Sequence, residues 1–467
     1  MSKRGGGKDY AEAWRSLMVA KRLRETRVLG RSPLDARTAF ENDFDRVIFS
    51  SSFRRLRNKA QIFSLEPHDF VRTRLTHSIE VSTVGRSLGE GAASAVKSVA
   101  SALKDMSPSL TPRDVGTVVA TACLLHDIGN PPFGHSGEKA IGTWFARNID
   151  AKARLKMSGA QERADLTMFE GNAQGLRVAT RLQWSGQDYG MNLTVATLSA
   201  LVKYPCSSVE VNPKGPKPLK KFGYFKADGT TFRSIRSYTG LDGNRRNPLT
   251  YLMEAADDLA YGTGDIEDVL KKGFVDYQTI DEILSNVKSK ESKECVEKFL
   301  HKPFRNEFKD FEPRERRQLA IQRFCQMAIR LMMKSVIRAF VKKYDQIMEG
   351  TFTGDLVGAM SMTDLHGALT RIMRDHVYSH IEIADREQTA RNVIAGLLSA
   401  IVEELQDRPE DALARSIYRA APLHRGESVS VSENYKIAQR ACDYVSGMTD
   451  GHALAQYQRI SGMRVAF

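Results

Sequence analysis

Cysteine is scarce in this 467-residue chain, and the five present (Cys123, Cys206, Cys295, Cys325 and Cys442) form no CxxC pair. Their odd number and scatter exclude a disulfide framework and predict reduced, buried thiols. No stretch approaches the roughly 20 apolar residues needed to span a bilayer, so no membrane span is expected. The opening residues, MSKRGGGKDYAEAW, lack the apolar core of a secretory signal, and a cytoplasmic location is the expectation. Also missing are a GxxxxGKS/T loop, a GxGxxG turn after a strand, a GxSxG elbow and an HExxH helix. The usual signatures of P-loop, dinucleotide-binding, α/β-hydrolase and zinc-protease chemistry are therefore excluded. No repeat of solenoid period and no long low-complexity segment is present.

What is present is positive charge: a formal +13, within a composition of 42% hydrophobic and 27% charged residues that is ordinary for a folded globular protein. The basic residues lie in RSLMVAKRLRETRVLGR, FRRLRNK, KPLKKFGYFK and EPRERRQ, so no single tail holds the excess. Such a balance fits nucleotide phosphates in a cleft, nucleic acid on the surface, both, or simply a solvated basic surface.

Apolar residues recur at helical spacing, most clearly over Arg113 to His126, Leu249 to Tyr261, Arg314 to Met348 and Ala384 to Leu405. The fold class is mainly α. Thr111, Pro112 and Asp114 supply a cap hydroxyl, a proline at the first helical position and an acid in the first turn, with an end expected at Gly129. Pro, Gly and Asn punctuate short segments such as FGYF and TTFRSI between 205 and 236, which predicts a small β-hairpin excursion. The polar stretches 151–166 and 211–221 read as candidate mobile loops near a phosphate site. Three regions are expected: a basic segment over 1–40, a core over 41–275, and a helical C-terminal region over 276–467 packed on it.

The strongest local signal is LLHDIGNPPFGHSGE, where an apolar helix end delivers His126 and Asp127 and then breaks into a Gly/Pro turn. An isolated His-Asp pair is weak evidence, because a histidine at a helix C-terminus often only answers the dipole. Two more elements strengthen it. RTRLTHSIEVS puts His77 on an apolar-periodic segment behind Arg72 and Arg74, and YLMEAADDLAY puts Asp257 and Asp258 on an otherwise apolar helix. Burying consecutive carboxylates is costly unless at least one is paired or bound to metal. The expected ligand set is His77, His126, Asp127 and Asp257, with Asp258 supporting them or paired with an arginine. Two imidazoles and two carboxylates leave octahedral positions for water and phosphate, which suits one Mn, Fe or Mg ion per subunit better than structural zinc.

With these residues in order, the chain resembles the HD superfamily and, within it, the deoxyguanosine triphosphate triphosphohydrolases and related dNTP triphosphohydrolases. The likeness runs from SSFRRLRNKAQIF through FEGNAQGLR, LVKYP and EAADDLAYGTGDIED to DYVSGMTD, leaving out the first 35 or so residues and about 275 to 430. It implies a helical HD core and cleavage of a deoxynucleoside triphosphate, dGTP foremost, into deoxynucleoside and triphosphate. It also implies catalysis by His135, nine residues after His126, with Glu138 three further on. Glu138 can orient His135, which can then protonate the leaving 5′ oxygen or assist attack at the α-phosphorus. The family's deoxyribose contacts map to Tyr261, Asp265 and Gln61, and further substrate contacts to Arg74, Asn172, Lys203 and Tyr204, of which Arg74 and Lys203 would hold the triphosphate. On a continuous helix Asp257, Tyr261 and Asp265 share one face, although Gly262 and Gly264 each cost about 1 kcal/mol there and would mark close approach of a ligand. Tyr204 also reads as a core residue and Asn172 as a helix cap. The resemblance further implies a homo-oligomer, hexamer or tetramer, to which Arg459 could contribute, and admits single-stranded DNA as a regulator.

Two other readings stay open: an HD phosphodiesterase on another nucleotide, and a nucleic-acid-binding regulator that keeps the core as a nucleotide sensor. Alarmone hydrolases carry HDxxED, against which HDIGNP counts, and an intact His135/Glu138 pair counts against a pure binder.

Overall fold

A computed structural model describes residues 10–24, 35–65, 70–150, 155–183, 190–377, 380–420 and 431–463. The chain is helical almost throughout. A short helix, Ala11–Leu17 (α1), precedes Arg74–Ala95 (α2), Pro112–Leu125 (α3), Gly134–Asn148 (α4) and Gly171–Arg177 (α5). After them come Pro248–Lys272 (α6), Pro313–Met348 (α7), Thr363–His376 (α8), Ile381–Asp407 (α9), Glu433–Ser446 (α10) and Asp450–Ile460 (α11). No helix among the described residues is long and apolar enough to cross a membrane. All five cysteines are free and buried.

The capping chemistry at Thr111 forms as its sequence requires: the Thr111 amide and hydroxyl both donate to the Asp114 carboxylate, each at 2.8 Å. Regular helix stops at Leu125, with His126 as the capping residue, earlier than the expected end at Gly129. Helices α2 and α3 are the most extensively packed pair. They approach backbone to backbone, for a Cβ on Gly89 would sit 2.9 Å from Gly116 Cα. Helix α6 packs across both, and α7 behind it. These four bring 77, 126 and 257 to one place.

Buried apolar residues form two clusters. The larger joins α1, α2, α3, α6, α7 and α8, with Trp14, Val119, Leu252, Phe324 and Leu369 among its members. The smaller joins α4, α9, α10 and the 222–227 turn around Phe145, Phe225, Leu397 and Tyr435. Between them lies a buried ionic knot: Arg177 donates to Asp443 at 2.8 Å and to Asp228 at 3.1 Å, tying α5 to α10.

The expected hairpin over 205–236 is absent. Among the described residues there are only isolated bridges and no sheet, and this region runs through three tight turns into a helix, Gly229–Thr239. Thr, Phe and Ile in TTFRSI favour strands in isolation, but Phe232, Ile235 and Thr239 bury at helical spacing and Tyr224 stacks on Phe232 at 4.0 Å. The 151–166 stretch likewise contains a helix, Ala160–Thr167, while residues 151–154 lie outside those described. Its acids are buried with partners: Glu162 accepts from Lys226 at 2.7 Å, and Asp165 from Ser208 and Tyr435. Loop 211–221 is a loop, pinned by Lys217 to Asp355 (3.1 Å) and Lys221 to Glu170 (2.8 Å).

Candidate active site

One metal-binding group of side chains is found among the described residues: His77, His126 and Asp257, whose donor atoms all lie within 4.8 Å of one another. His77 Nε2 is 3.1 Å and His126 Nε2 3.5 Å from the same Asp257 Oδ1. The His126 Nδ1 is 2.6 Å from the Cys123 carbonyl oxygen, which can only accept, so Nδ1 carries the proton and Nε2 turns its lone pair inward. His77 Nδ1 is buried without a hydrogen-bond partner. Burial opposes the charge of Asp257, but the two imidazoles hold its carboxyl far below the usual range. Two inward imidazole nitrogens around a carboxylate fit a divalent cation.

Asp127, the fourth expected ligand, stands beside this group rather than in it. Its Oδ2 is 3.6 Å from His126 Nε2 and accepts from Arg74 Nη1 at 2.6 Å, while Asn130 donates to Oδ1. Burial works against its ionisation, and Arg74 overcomes that. Asp258 has lysines rather than an arginine around it. Burial raises its carboxyl to about 7, resisted by Lys203 and Lys217.

The turn after the His-Asp pair is set by close packing. A Cβ on Gly129 would fall 2.1 Å from the Gly175 amide nitrogen and 2.3 Å from the Gly171 carbonyl, so only glycine lets this turn rest on α5. Phe133, with φ +64°, then starts α4 from a left-handed conformation. Two residues on, His135 Nδ1 meets Glu138 Oε2 at 2.7 Å, and Glu138 Oε1 accepts from the Gly171 amide at 2.8 Å. Glu138 is buried, whereas the His135 side chain is 81% exposed. The hydrogen bond to Glu138, reinforced by its charge, lifts the imidazole pKa above the ordinary value.

Helix α6 is continuous through Tyr261, so Asp257, Tyr261 and Asp265 do share a face. Of its glycines, Gly264 faces a close protein neighbour, since a Cβ there would meet Arg72 at 2.9 Å, whereas one on Gly262 would lie 3.5 Å from His366, an ordinary contact. Arg72 itself is spent on Glu80, Glu267 and Asp268. Both Asp265 carboxylate oxygens and Gln61 Oε1 are buried without a hydrogen-bond partner. Burial, with Asp268 nearby, pushes the Asp265 carboxyl well up. Orphaned buried acceptors of this kind are costly and point to a missing donor.

On the other side Lys203 Nζ is 3.5 Å from Glu254 and stands over the buried Tyr204 ring. Burial opposes the lysine's charge, yet Glu254 holds its pKa above the ordinary value. Asn172 donates to Glu170 at 2.6 Å; the cap of α5 is Glu170, not Asn172. Arg459 is exposed in the last turn of α11. Sequence reasoning missed Lys217, Lys221, Glu170 and His366. Lys217 sits 3.5 Å from Glu254, and Lys221 adds its charge beside Glu138. The basic run KPLKK, within the 211–221 loop expected near a phosphate site, hinted at the two lysines, and nothing hinted at Glu170 or His366.

Residues 74–164 match the HD domain and 358–459 the phosphohydrolase-associated domain. A deoxyguanosinetriphosphate triphosphohydrolase-like protein of Listeria monocytogenes is 36% identical over 96% of this chain and 99% of its own length. The chain belongs to the deoxyguanosinetriphosphate triphosphohydrolase family. A like-named Synechocystis protein is 33% identical over 96% of the chain and 99% of its own length. The deoxyguanosinetriphosphate triphosphohydrolase of Yersinia pestis is 29% identical over 90% of the chain and 93% of its own length. Family likeness thus extends through 275–430, where the sequence motifs found little to match. The HD domain is a metal-dependent hydrolase fold, and the His77, His126 and Asp257 group is its metal-type site here.

Proposed function

We propose that the protein hydrolyses deoxynucleoside triphosphates, dGTP foremost, to deoxynucleoside and intact triphosphate. The observation that carries this reading is the exposed His135, backed by the buried Glu138, at the start of the helix that follows His126 of the buried His77, His126 and Asp257 group. His77, His126 and Asp257 would hold a divalent cation, Mn, Mg or Fe, with Asp127 completing the set once substrate phosphate competes for Arg74. When bound, that cation supplies neutralisation of developing phosphate charge and activation of water.

The chain's own groups do the rest. Glu138 holds Nδ1 of His135, which presents Nε2 to the substrate and favours the protonated ring. His135 donates its proton to the 5′ oxygen as water adds to the α-phosphorus and the P–O5′ bond breaks; one water is consumed and triphosphate leaves whole. Arg74, Lys203, Lys217 and Lys221 flank the triphosphate, where charge-assisted hydrogen bonds are strongest, with Asn172 and Tyr204 beside them. Tyr261 packs on the deoxyribose where a 2′-hydroxyl would clash, and Asp265 and Gln61 accept the 3′-hydroxyl. The 3′-hydroxyl proton would answer one of these orphaned oxygens.

The test is incubation with each dNTP and NTP plus Mn or Mg, with chromatography separating triphosphate, pyrophosphate and phosphate. Triphosphate from dNTPs is expected. Pyrophosphate with a nucleoside monophosphate would refute the cleavage position, and equal rates on ribonucleotides would refute the sugar contacts. We propose further that the enzyme is a homo-oligomer, tetramer or hexamer, with Arg459 at a subunit contact, which light scattering of wild type and Arg459→Glu checks. Exposed Arg323, Arg330 and Lys334 line one side of α7 and suit single-stranded DNA as regulator. An effect on turnover that Arg323→Glu and Arg330→Glu abolish is expected; binding without effect on turnover would reduce it to simple affinity.

A further inference from the structure

Between the His-Asp pair and His135 the backbone passes through Asn130 to Phe133, and two buried side chains from distant parts of the chain grip it. Lys59 Nζ donates to the Asn130 carbonyl at 2.6 Å and to the Ser446 carbonyl, the last residue of α10, at 2.7 Å. Asp450, the first residue of α11, accepts from the Phe133 amide at 3.0 Å with one oxygen and from the Ala60 amide at 3.1 Å with the other. Both side chains are buried. Each grip ends within two residues, or one hydrogen bond, of a group assigned to the site. Asn130 donates through its side chain to Asp127, Phe133 precedes Gly134 and His135, and Ala60 precedes Gln61.

Phe133 is held in a left-handed conformation that its side chain disfavours, and left alone the backbone there would relax. The carboxylate at position 450 supplies the fixed acceptor opposite that amide. Because the same carboxylate holds Ala60, the strand of chain carrying the sugar contact and the helix carrying the proton donor are registered to one point on α11.

We propose that Asp450, assisted by Lys59, is a positioning residue that sets the aim of His135 at the leaving oxygen and keeps Gln61 in register with it. This rests on His135 being the proton donor. The C-terminal junction between α10 and α11 is then part of the catalytic apparatus although it touches no substrate. A misplacement of about 1 Å in a catalytic group costs on the order of 100-fold in rate, which sets the scale of the effect.

The test uses a substrate whose leaving atom needs no proton. In the 5′-bridging sulfur analogue of a dNTP the departing thiolate is stable, so a poorly aimed acid matters little. Asp450→Asn keeps the size of the side chain but turns an NH2 toward one of the two amides. It is expected to lower kcat on the oxygen substrate about 10- to 100-fold, to leave kcat on the sulfur analogue within about threefold, and to leave Mn binding, read by electron paramagnetic resonance, unchanged. Lys59→Met, which spares both Asp450 bonds, should show the same selectivity with a smaller loss, and decides alone if Asp450→Asn does not fold. Equal losses on the two substrates, or no loss on the oxygen substrate, overturn the proposal. His135→Ala separates this from the reading beneath it. If His135→Ala is selective and the tether variants are not, only the positioning role falls; if His135→Ala is itself unselective, the proton-donor role falls.

Discussion

The two halves of the site are built on opposite terms. The His77, His126 and Asp257 half is set in three packed helices, its imidazoles 1% and 9% exposed and each ring locked by its surroundings. The His135/Glu138 half sits at the start of α4, its imidazole open to solvent and only the carboxylate behind it buried. Helix packing makes the first half rigid, at the cost of a buried carboxylate and an unpartnered His77 Nδ1, whereas the second must stay accessible and is held instead by hydrogen bonds and a strained turn. Precision comes from burial in one and from tethers in the other.

Removing the rigid half should therefore cost most. Asp257→Ala takes away the carboxylate both imidazoles face, and a loss of several kcal/mol of charge stabilisation corresponds to a drop of about a thousandfold or more in kcat. Manganese titration by calorimetry should show binding lost in parallel, and full turnover in that variant would break the contrast at its root. His135→Ala should leave metal binding intact and lower kcat by about 100- to 10,000-fold, the range for a lost general acid.

Glu138→Gln is expected to be milder and to move a pH profile. Glu138 raises the His135 pKa, so the protonated donor persists to higher pH in the wild type. Activity that needs the protonated ring falls as pH rises through that pKa, and losing Glu138 moves the fall to lower pH. A descending limb that stays put in kcat against pH would mean that another group donates. The smallest change is expected at Tyr261→Ala, which should narrow the preference for deoxyribose over ribose by about tenfold, the worth of one steric contact of 1 to 3 kcal/mol. Ratios of kcat/KM for dGTP and GTP measure it.

Much of the rigid half could be read from the amino acids alone, because its signals are local. Thr111, Pro112 and Asp114 start α3 by capping chemistry, and adjacent Asp257 and Asp258 on an apolar helix had to be answered by charge. What escaped were long-range contacts. Nothing around Asp127 announces that Arg74 and Asn130, rather than the imidazoles, are its hydrogen-bond partners. Lys217 and Lys221 come from the 211–221 loop, which the sequence set near a phosphate site without singling them out, and His366 comes from α8, whose pattern says nothing of the site. The 205–236 region misled because Phe, Tyr and Thr carry strand propensity, while the tertiary demand to bury Phe232 and Ile235 on one side decided for helix. Gly262 and Gly264 suggested close approach of a ligand; at Gly264 it is Arg72 that a Cβ would meet, while at Gly262 the nearest atoms, of His366, lie at ordinary contact distance.

The bond from His126 Nδ1 to the Cys123 carbonyl has a consequence of its own. It commits one ring nitrogen to its proton, so Nε2 is the single atom this ring can offer a cation. The backbone of the helix end, not the metal, therefore chooses which nitrogen of the imidazole is available.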